Sequence, residues 1–168
     1  MTTPESPNVV LLMGVAGAGK TTIGLLLAQD LHIRFVDADD LHPPVNIAKM
    51  RSGSPLDDAD RAPWLHALGT AIDGWIQSGE RVVLACSALK AAYRAELVRD
   101  PSRVAVFYLK LTPELAKSRV AHRSGHFMKD DLIDSQFEAL EEPRRAIEID
   151  ASLPPTEIVR QIRAALGR

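Results

Sequence analysis

Short apolar runs alternate along this chain with segments in which apolar residues recur at helical spacing. Each apolar run of strand length is followed by a polar or glycine-containing turn, a pattern typical of buried parallel strands joined by helices. The predicted strands are Val9 to Met13, Phe35 to Val36, Arg81 to Ser87, Val104 to Leu109 and Ala146 to Ile149. The predicted helices are Lys20 to Leu31, Arg61 to Ser78, Ala88 to Val98, a helix that begins at Pro113 behind the cap Thr112, Asp130 to Glu141 and Thr156 to Leu166.

This alternation predicts an α/β fold in which a five-stranded parallel sheet lies between two layers of helices. Ligands of such sheets bind at the carboxyl ends of the strands, so we expect the functional residues in the loops that follow them. The chain has 168 residues and shows no internal repeat or linker. We therefore predict a flexible leader at residues 1–8 and a single domain at residues 9–168.

The loop after the first predicted strand carries a phosphate-binding motif. It reads GVAGAGKT and matches G-x-x-x-x-G-K-[ST] between a strand and a helix, as the P-loop mechanism requires. The glycines let backbone N–H groups face phosphate oxygens, and the following helix adds its positive end. We therefore predict that ATP binds here with Mg²⁺. The residues expected to contact the nucleotide are Gly14, Val15, Ala16, Gly17, Ala18, Gly19, Lys20, Thr21 and Thr22.

Aspartates follow the second predicted strand, whereas the third strand ends at Cys86 without a carboxylate. Hydrolytic motors and switches usually carry an acidic residue at the latter place, so the pattern favours a small-molecule kinase. Carboxylates near the γ-phosphate can hold Mg²⁺ and accept a proton from a substrate hydroxyl. We predict Thr21 and Asp37 as metal ligands and Lys20 and Asp39 as catalytic groups. Cys86 is expected to be a buried structural thiol.

A basic segment from Lys117 to Lys129 contains no acidic residue. Phosphoryl transfer needs cations around the γ-phosphate and exclusion of water, which a closing lid commonly provides. Arg119 and Arg123 are four residues apart and therefore share a helix face, where both can hold one anion. We predict a mobile lid at about residues 119–130, in which Arg119 binds the nucleotide and both arginines are catalytic.

These motifs resemble the small P-loop gluconokinases of the thermoresistant type, and the resemblance runs from Val9 to Pro143. It implies a P-loop NTPase fold like that of the nucleoside-monophosphate kinases, and phosphate transfer from ATP to the 6-hydroxyl of D-gluconate. The segments that carry it are Leu12-Met13-Gly14-Val15, Asp39-Asp40-Leu41-His42-Pro43, Asn46-Ile47, Lys49-Met50, Ser52-Gly53, Asp60-Arg61, Pro63-Trp64-Leu65, Cys86-Ser87-Ala88-Leu89-Lys90, Tyr93-Arg94, Ser118-Arg119, Gly125-His126-Phe127 and Gln136-Phe137-Glu138.

The resemblance also implies an acceptor pocket on the loops after the second and third strands. Gluconate is an anion with a row of hydroxyls, so its pocket should combine cationic donors with carboxylate or amide acceptors. The residues expected to line this pocket are Asp39, His42, Lys49, Arg61, Lys90, Arg94 and His126. The cationic residues also fit the alternative of ordinary surface charge, and Trp64 and Trp75 fit core positions. The family further implies a homodimer, with adenine near the loop from Asp150 to Pro155.

Composition excludes several other classes. The net charge of -2 argues against a protein that binds nucleic acid backbone, and no apolar run approaches the length of a membrane span. A single cysteine excludes an intramolecular disulfide framework and fits a cytoplasmic protein. Two alternatives to gluconate phosphorylation stay open: a P-loop kinase of another small acceptor, such as shikimate or a nucleoside monophosphate, and a non-catalytic nucleotide-binding regulator.

Overall fold

Strands and helices alternate in the computed structural model of the protein, which describes residues 6–124 and 129–168. The strands are β1 Val9–Met13, β2 Arg34–Asp37, β3 Val82–Ala85, β4 Val104–Lys110 and β5 Ile147–Asp150. The helices of these ranges are α1 Lys20–Leu31, α2 Pro44–Arg51, α3 Asp58–Ser78, α4 Ala91–Leu97, α5 Pro113–Ser124, α6 Lys129–Ala139 and α7 Pro155–Ala165. A 3₁₀ helix, Ala38–Leu41, follows β2 directly.

The five strands form one parallel sheet in the order β2-β3-β1-β4-β5. The central strand β1 is buried along its whole length, as its continuous apolar run predicts. Its register places Leu12 opposite Ala85 on one side and opposite Phe107 on the other. The predicted α/β fold with a five-stranded parallel sheet is confirmed.

The sheet is covered by helices on both faces. Val10 and Leu12 of β1 pack in a cluster with side chains of α1 and α7. Val9, Leu11 and Met13 point to the opposite face and pack with α3. Since side chains of a strand alternate between faces, one five-residue run supplies both halves of the core, and the result is a three-layer fold.

Most predicted elements are confirmed with shifted ends, and the largest shifts are the starts of α3 and α4, by three residues each. Helix α3 begins at Asp58 instead of Arg61, because Asp57 and Asp60 exchange side-chain and backbone hydrogen bonds in a capping box that extends the helix by a turn. Helix α2 has no counterpart among the predicted elements. The predicted cap of α5 is confirmed, since the Leu115 N–H donates to Thr112 Oγ1 over 3.3 Å.

The start of the folded body lies slightly earlier than predicted. Asn8 was assigned to a flexible leader, but its side chain is buried and donates to the Glu80 carbonyl. Its own carbonyl accepts from the Val82 N–H at 2.9 Å, which ties it to β3. Trp64 and Trp75 lie in the core, as predicted. Across the two described ranges, no helix combines the length and apolar character that crossing a bilayer requires.

Two glycines of α3 offer a matched test of how closely α3 and α4 pack. An added Cβ at Gly69 would lie 2.6 Å from the Glu96 backbone oxygen, whereas one at Gly74 would meet nothing within 4 Å. We expect Gly69→Ala to lower the free energy of unfolding by about 1–3 kcal/mol through overpacking. Gly74→Ala should raise it by up to about 1 kcal/mol through helix propensity. Urea unfolding of both variants measures this, and equal shifts would contradict the close packing.

Candidate active site

The phosphate-binding loop connects β1 to α1 and runs close to β4. Gly14, Gly17 and Gly19 have positive φ angles of 150°, 85° and 93°, a conformation that side chains disfavour. A Cβ at Gly14 would lie 2.8 Å from the Leu109 carbonyl oxygen. The sequence motif therefore folds as a loop that only glycine permits at these positions, with its backbone curled at the carboxyl end of the central strand.

Lys20 opens α1 and folds back over this loop. Its Nζ donates to the carbonyl oxygens of Gly14 and Val15, at 2.9 and 3.1 Å. Burial lowers the pKa of Lys20, while the carboxylates of Asp39 and Asp37 raise it. The amine thus lies at the loop, within electrostatic reach of Asp37 at the end of β2 and of Asp39 in the 3₁₀ helix.

Thr21 and Asp37 lie side by side. The Thr21 hydroxyl donates to Asp37 Oδ2 at 3.0 Å, and the other carboxylate oxygen of Asp37 accepts from the Asp39 N–H at 3.0 Å. These two oxygen ligands fit Mg²⁺, which prefers hard oxygen donors and keeps several of its waters. In the described part of the chain, no cluster of three or more His, Cys, Asp or Glu side chains could hold a metal ion.

Asp39 occupies the first turn of the 3₁₀ helix, two residues after Asp37. Its side chain reaches solvent, yet the protein around it withdraws enough water to raise the pKa of Asp39. The negative charge of Asp37 raises the pKa of Asp39 further, whereas Lys20 and His42 lower it. A carboxylate with a raised pKa that an acceptor can still approach suits a group that receives a proton from a hydroxyl.

A cavity of about 410 Å³ lies beside the loop, between α5 and the segment after β5. Arg119 lines it and donates through Nη1 to the Gly17 carbonyl at 3.3 Å. The wall opposite includes Ala151, Leu153 and Pro155, from the loop that the family resemblance places near adenine. The cavity therefore adjoins the phosphate-binding loop, at a position that suits a nucleoside.

The predicted lid is only partly described. Arg119 and Arg123 lie in α5, and Arg123 also lines the cavity beside the loop. Its charge acts on Lys20 and lowers the pKa of that amine. Residues 125–128 and the predicted substrate ligand His126 lie outside the described residues. The closing motion stays a prediction.

Gln136 of α6 was absent from the predicted site residues, but it contacts the phosphate-binding loop. Its Oε1 accepts from the Ala16 N–H at 2.7 Å. This bond satisfies a loop amide from outside the loop, so Ala16, predicted to contact the nucleotide, has its N–H engaged within the protein. The only sequence signal was the position of Gln136 in a segment that resembles the family, because the two residues are far apart in the chain.

Two of the predicted acceptor ligands are paired with aspartates at the start of α3. Lys49 Nζ lies 2.6 Å from Asp60 Oδ2, and Lys90 Nζ lies 3.0 and 3.1 Å from the two oxygens of Asp58. Tyr93 also donates to Asp58. These contacts lower the pKa values of both aspartates. The charges of Lys49 and Lys90 are therefore largely balanced inside the protein.

Arg61 follows Asp60 in α3 and has no carboxylate at ion-pair distance among the described residues. Its guanidinium lies 5.9 Å from the centre of the Tyr93 ring. The charge of Arg61 also acts on His42 and Asp58. Arg61 thus lies near Tyr93, His42 and Asp58, and its charge is not engaged in an ion pair among the described residues.

Arg94 is held by backbone carbonyls. Its Nη1 donates to Ala88 and Leu89, at 2.8 and 3.0 Å, and its Nη2 donates to Glu141 at 2.7 Å. Ala88 has a φ of 46°, which is rare for a residue with a side chain, so the arginine braces a strained turn after β3. The sequence does not predict these backbone contacts of Arg94, and the assignment of Arg94 to the acceptor pocket stays a prediction.

His42 is buried and contacts two residues that were not predicted to belong to the site. It stacks on Trp64 with a ring distance of 4.0 Å, and its Nδ1 lies 3.3 Å from Asn46 Nδ2. The apolar spacing of its helix predicts Trp64 as a core residue, and its ring is indeed buried in the core.

Cys86 is buried, and burial raises the pKa of its thiol to about 12, which fits the predicted structural cysteine.

A larger cavity, of about 780 Å³, lies between α1 and α7. Of the charged residues that line it, Arg160 pairs with Glu157 and Arg163 pairs with Asp30, whereas Arg168 donates to Ser6 Oγ. It contains no phosphate-binding loop, so the chemistry is assigned to the P-loop side of the molecule.

A phosphate-binding loop after the central strand of a parallel sheet, with two carboxylates near its lysine, is typical of the P-loop kinases. A family model described as shikimate kinase matches residues 16–165. A probable gluconokinase from Mus musculus is 40% identical over 184 residues, which cover 96% of this chain and 99% of that protein. The thermoresistant gluconokinase of Escherichia coli (strain K12) is 42% identical over 142 residues, with 84% and 81% covered.

The fold comparison agrees with these relatives. The crystal structure of a gluconokinase from Sinorhizobium meliloti 1021 matches with a TM-score of 0.85 and 41% identity, over 97% of this chain and 93% of that one. The chain belongs to the gluconokinase family, and the family model groups it with the shikimate kinases. The expected family and P-loop kinase fold are confirmed.

Proposed function

We propose that this protein transfers the γ-phosphoryl group of ATP to the 6-hydroxyl of D-gluconate, giving 6-phospho-D-gluconate and ADP. The choice of substrate rests on about 40% sequence identity to gluconokinases over most of both chains. The charged residues at the start of α3 add chemical support, because an anionic polyol needs one available cation and several hydrogen-bonding groups.

The phosphate side of the site is formed by the loop, Lys20 and α5. The loop amides and Lys20 bind the phosphates, and Arg119 and Arg123 stabilise charge that develops on the transferred group. Thr21 and Asp37 would hold Mg²⁺, which neutralises phosphate charge when it is bound. The 3.0 Å contact between these two side chains supports their assignment to one metal.

On the acceptor side, Asp39 accepts the proton of the 6-hydroxyl. The hydroxyl oxygen then forms a bond to the γ-phosphorus while the bond from that phosphorus to the β,γ-bridging oxygen breaks, and ADP leaves with the electron pair. The charge influence of Asp39 on Lys20 supports this placement, since the two groups must face the same phosphate.

Arg61 recognises the carboxylate of gluconate. Its guanidinium presents two donors that match a carboxylate, and its charge is not consumed by an internal ion pair among the described residues. Lys49 and Lys90 flank it but are balanced by Asp60 and Asp58, so they support the pocket and contribute little net attraction.

A shikimate kinase is the second candidate, because the family model that matches is described as shikimate kinase. Shikimate also carries a carboxylate and hydroxyls, so Arg61 alone does not separate the two acceptors. The relatives with about 40% identity favour gluconate. The homodimer and the cytoplasmic location stay predictions from the sequence.

An acceptor panel tests the proposed function. We expect ADP release with gluconate, and little or none with shikimate, glycerate or AMP, in a coupled assay with MgATP. Lys20→Ala serves as the inactive control, because it removes the phosphate-binding cation and leaves the core untouched. Activity confined to another acceptor would overturn the substrate assignment, and ATP binding without any acceptor-dependent turnover would favour a regulator.

The role of Asp39 is tested by Asp39→Asn. The amide keeps the size of the side chain but cannot take the hydroxyl proton, so kcat should fall about 100-fold or more while ATP affinity changes little. Steady-state kinetics and nucleotide titration measure the two effects. Asp40→Asn, one residue further along the same exposed turn, is the matched control and should retain near wild-type kcat. Wild-type kcat in Asp39→Asn would remove Asp39 from the mechanism.

The carboxylate contact is tested by Arg61→Gln. Loss of a charge-assisted hydrogen bond should raise the KM for gluconate about 10- to 100-fold and leave the inhibition constant of sorbitol, a neutral polyol, nearly unchanged. Arg34→Gln provides the control, since Arg34 pairs with Glu80 on the surface. An equal loss for gluconate and sorbitol would show that Arg61 does not read the carboxylate.

A further inference from the structure

We propose that His42 binds the acceptor as a neutral hydrogen-bond donor, through Nε2–H to a hydroxyl oxygen, and that Asn46 and Trp64 are the positioning residues that set this donor. The inference rests on the proposed function in one respect, namely that the acceptor is a polyol. Neither Asn46 nor Trp64 needs to touch the substrate, because both act through the imidazole ring.

The orientation of the Asn46 amide is fixed by a backbone carbonyl. Asn46 is 2% exposed, and its Nδ2 lies 3.0 Å from the Asp60 carbonyl oxygen, which can only accept a hydrogen bond. The atom at that position must therefore be the amide nitrogen. The same Nδ2 lies 3.3 Å from His42 Nδ1. One hydrogen of the NH₂ group serves each partner.

This arrangement selects one form of the imidazole. Because Asn46 donates to His42 Nδ1, that ring nitrogen must carry a lone pair and not a proton. The proton of the neutral ring then resides on Nε2. His42 consequently offers a donor at Nε2, and a doubly protonated ring would place two donors against each other at Asn46.

Trp64 fixes the plane of the ring and the turn that carries the proposed base. Its ring stacks on His42 at 4.0 Å with an interplanar angle of 18°. Its indole Nε1–H donates to the Ala38 carbonyl at 2.8 Å, and Ala38 precedes Asp39 in the 3₁₀ helix. One buried tryptophan thus holds both ends of the turn between Asp39 and His42.

The surroundings of His42 support a neutral ring. Burial lowers the pKa of His42 and the charge of Arg61 lowers it further, whereas Asp39 opposes both. A neutral donor suits a hydroxyl oxygen, while Arg61 supplies the positive charge for the carboxylate. This neutral role of His42 differs from the prediction that it is one of the cationic donors of the acceptor pocket.

The tautomer is measured directly by two-bond ¹H–¹⁵N NMR on the full-length, ¹⁵N-labelled protein near pH 7.5. His42→Phe assigns the signals by their loss. We expect a pyridine-type nitrogen at Nδ1 and a pyrrole-type nitrogen at Nε2. The reversed pattern, or a doubly protonated ring, would overturn the proposal. This measurement requires neither catalytic turnover nor a folded variant of Asn46 or Trp64.

Asn46→Asp tests the positioning role. A carboxylate accepts a proton from Nδ1, so the NMR pattern should change to the reversed or doubly protonated form, and the KM for gluconate should rise about 10-fold while the KM for ATP stays within about twofold. Asn8→Asp is the matched control: Asn8 is also buried, but it donates to Glu80 in another part of the fold. Equal changes of KM in both variants would show that the cause is general destabilisation, and this would contradict the role of Asn46.

The hydroxyl contact is tested by His42→Phe, which keeps the stack on Trp64 and removes the donor. The KM for gluconate and the inhibition constant of sorbitol should rise by the same factor, about 10-fold. A loss with gluconate alone would show that His42 reads the carboxylate and would overturn the proposal. Failure of the proposed function looks different: the wild-type protein would then release no ADP with gluconate, whatever the tautomer.

Discussion

The parallel register of three neighbouring strands fixes where the reacting groups stand. Asp37 at the end of β2 lies opposite Ala85, and Ala85 lies opposite Leu12 of β1. The phosphate-binding loop begins two residues after Leu12, at the same edge of the sheet. Because all three strands point the same way, Thr21 at the start of α1 meets Asp37 without any further adjustment. A slip of either strand would separate the phosphate site from its carboxylates.

Acidic and basic side chains are arranged in separate groups around this edge of the sheet, which the net charge of -2 does not show. Asp58 and Asp60 balance Lys90 and Lys49 at the start of α3, which leaves Arg61 available between them. On the other side of the loop, Arg119 and Arg123 of α5 line the cavity beside it. The arginines of α5 and the available arginine of α3 therefore lie on separate elements of the fold.

The sequence predicts the sheet well because a strand buried on both faces must be apolar throughout, as in Val9–Met13. It predicts α1 to the residue, since the glycine-rich motif sets where the helix begins, and the structure adds a left-handed cap at His32 where it ends. Helix α2 escapes prediction for the opposite reason: Asn46 is its one buried residue, so the segment shows no apolar periodicity. The motif likewise identifies Lys20 and Thr21, because their spacing is local in the chain.

The remaining site residues depend on contacts between distant segments, which spacing does not encode. Lys49 and Asn46 fasten α2 to the first turn of α3 through Asp60, and Trp64 fastens the 3₁₀ helix to the same helix. These attachments are mostly polar and few, whereas the sheet is held by a continuous apolar core. The contacts that spacing along the chain does not show are therefore concentrated between β2 and α3, where single polar side chains join separate elements, and not in the sheet.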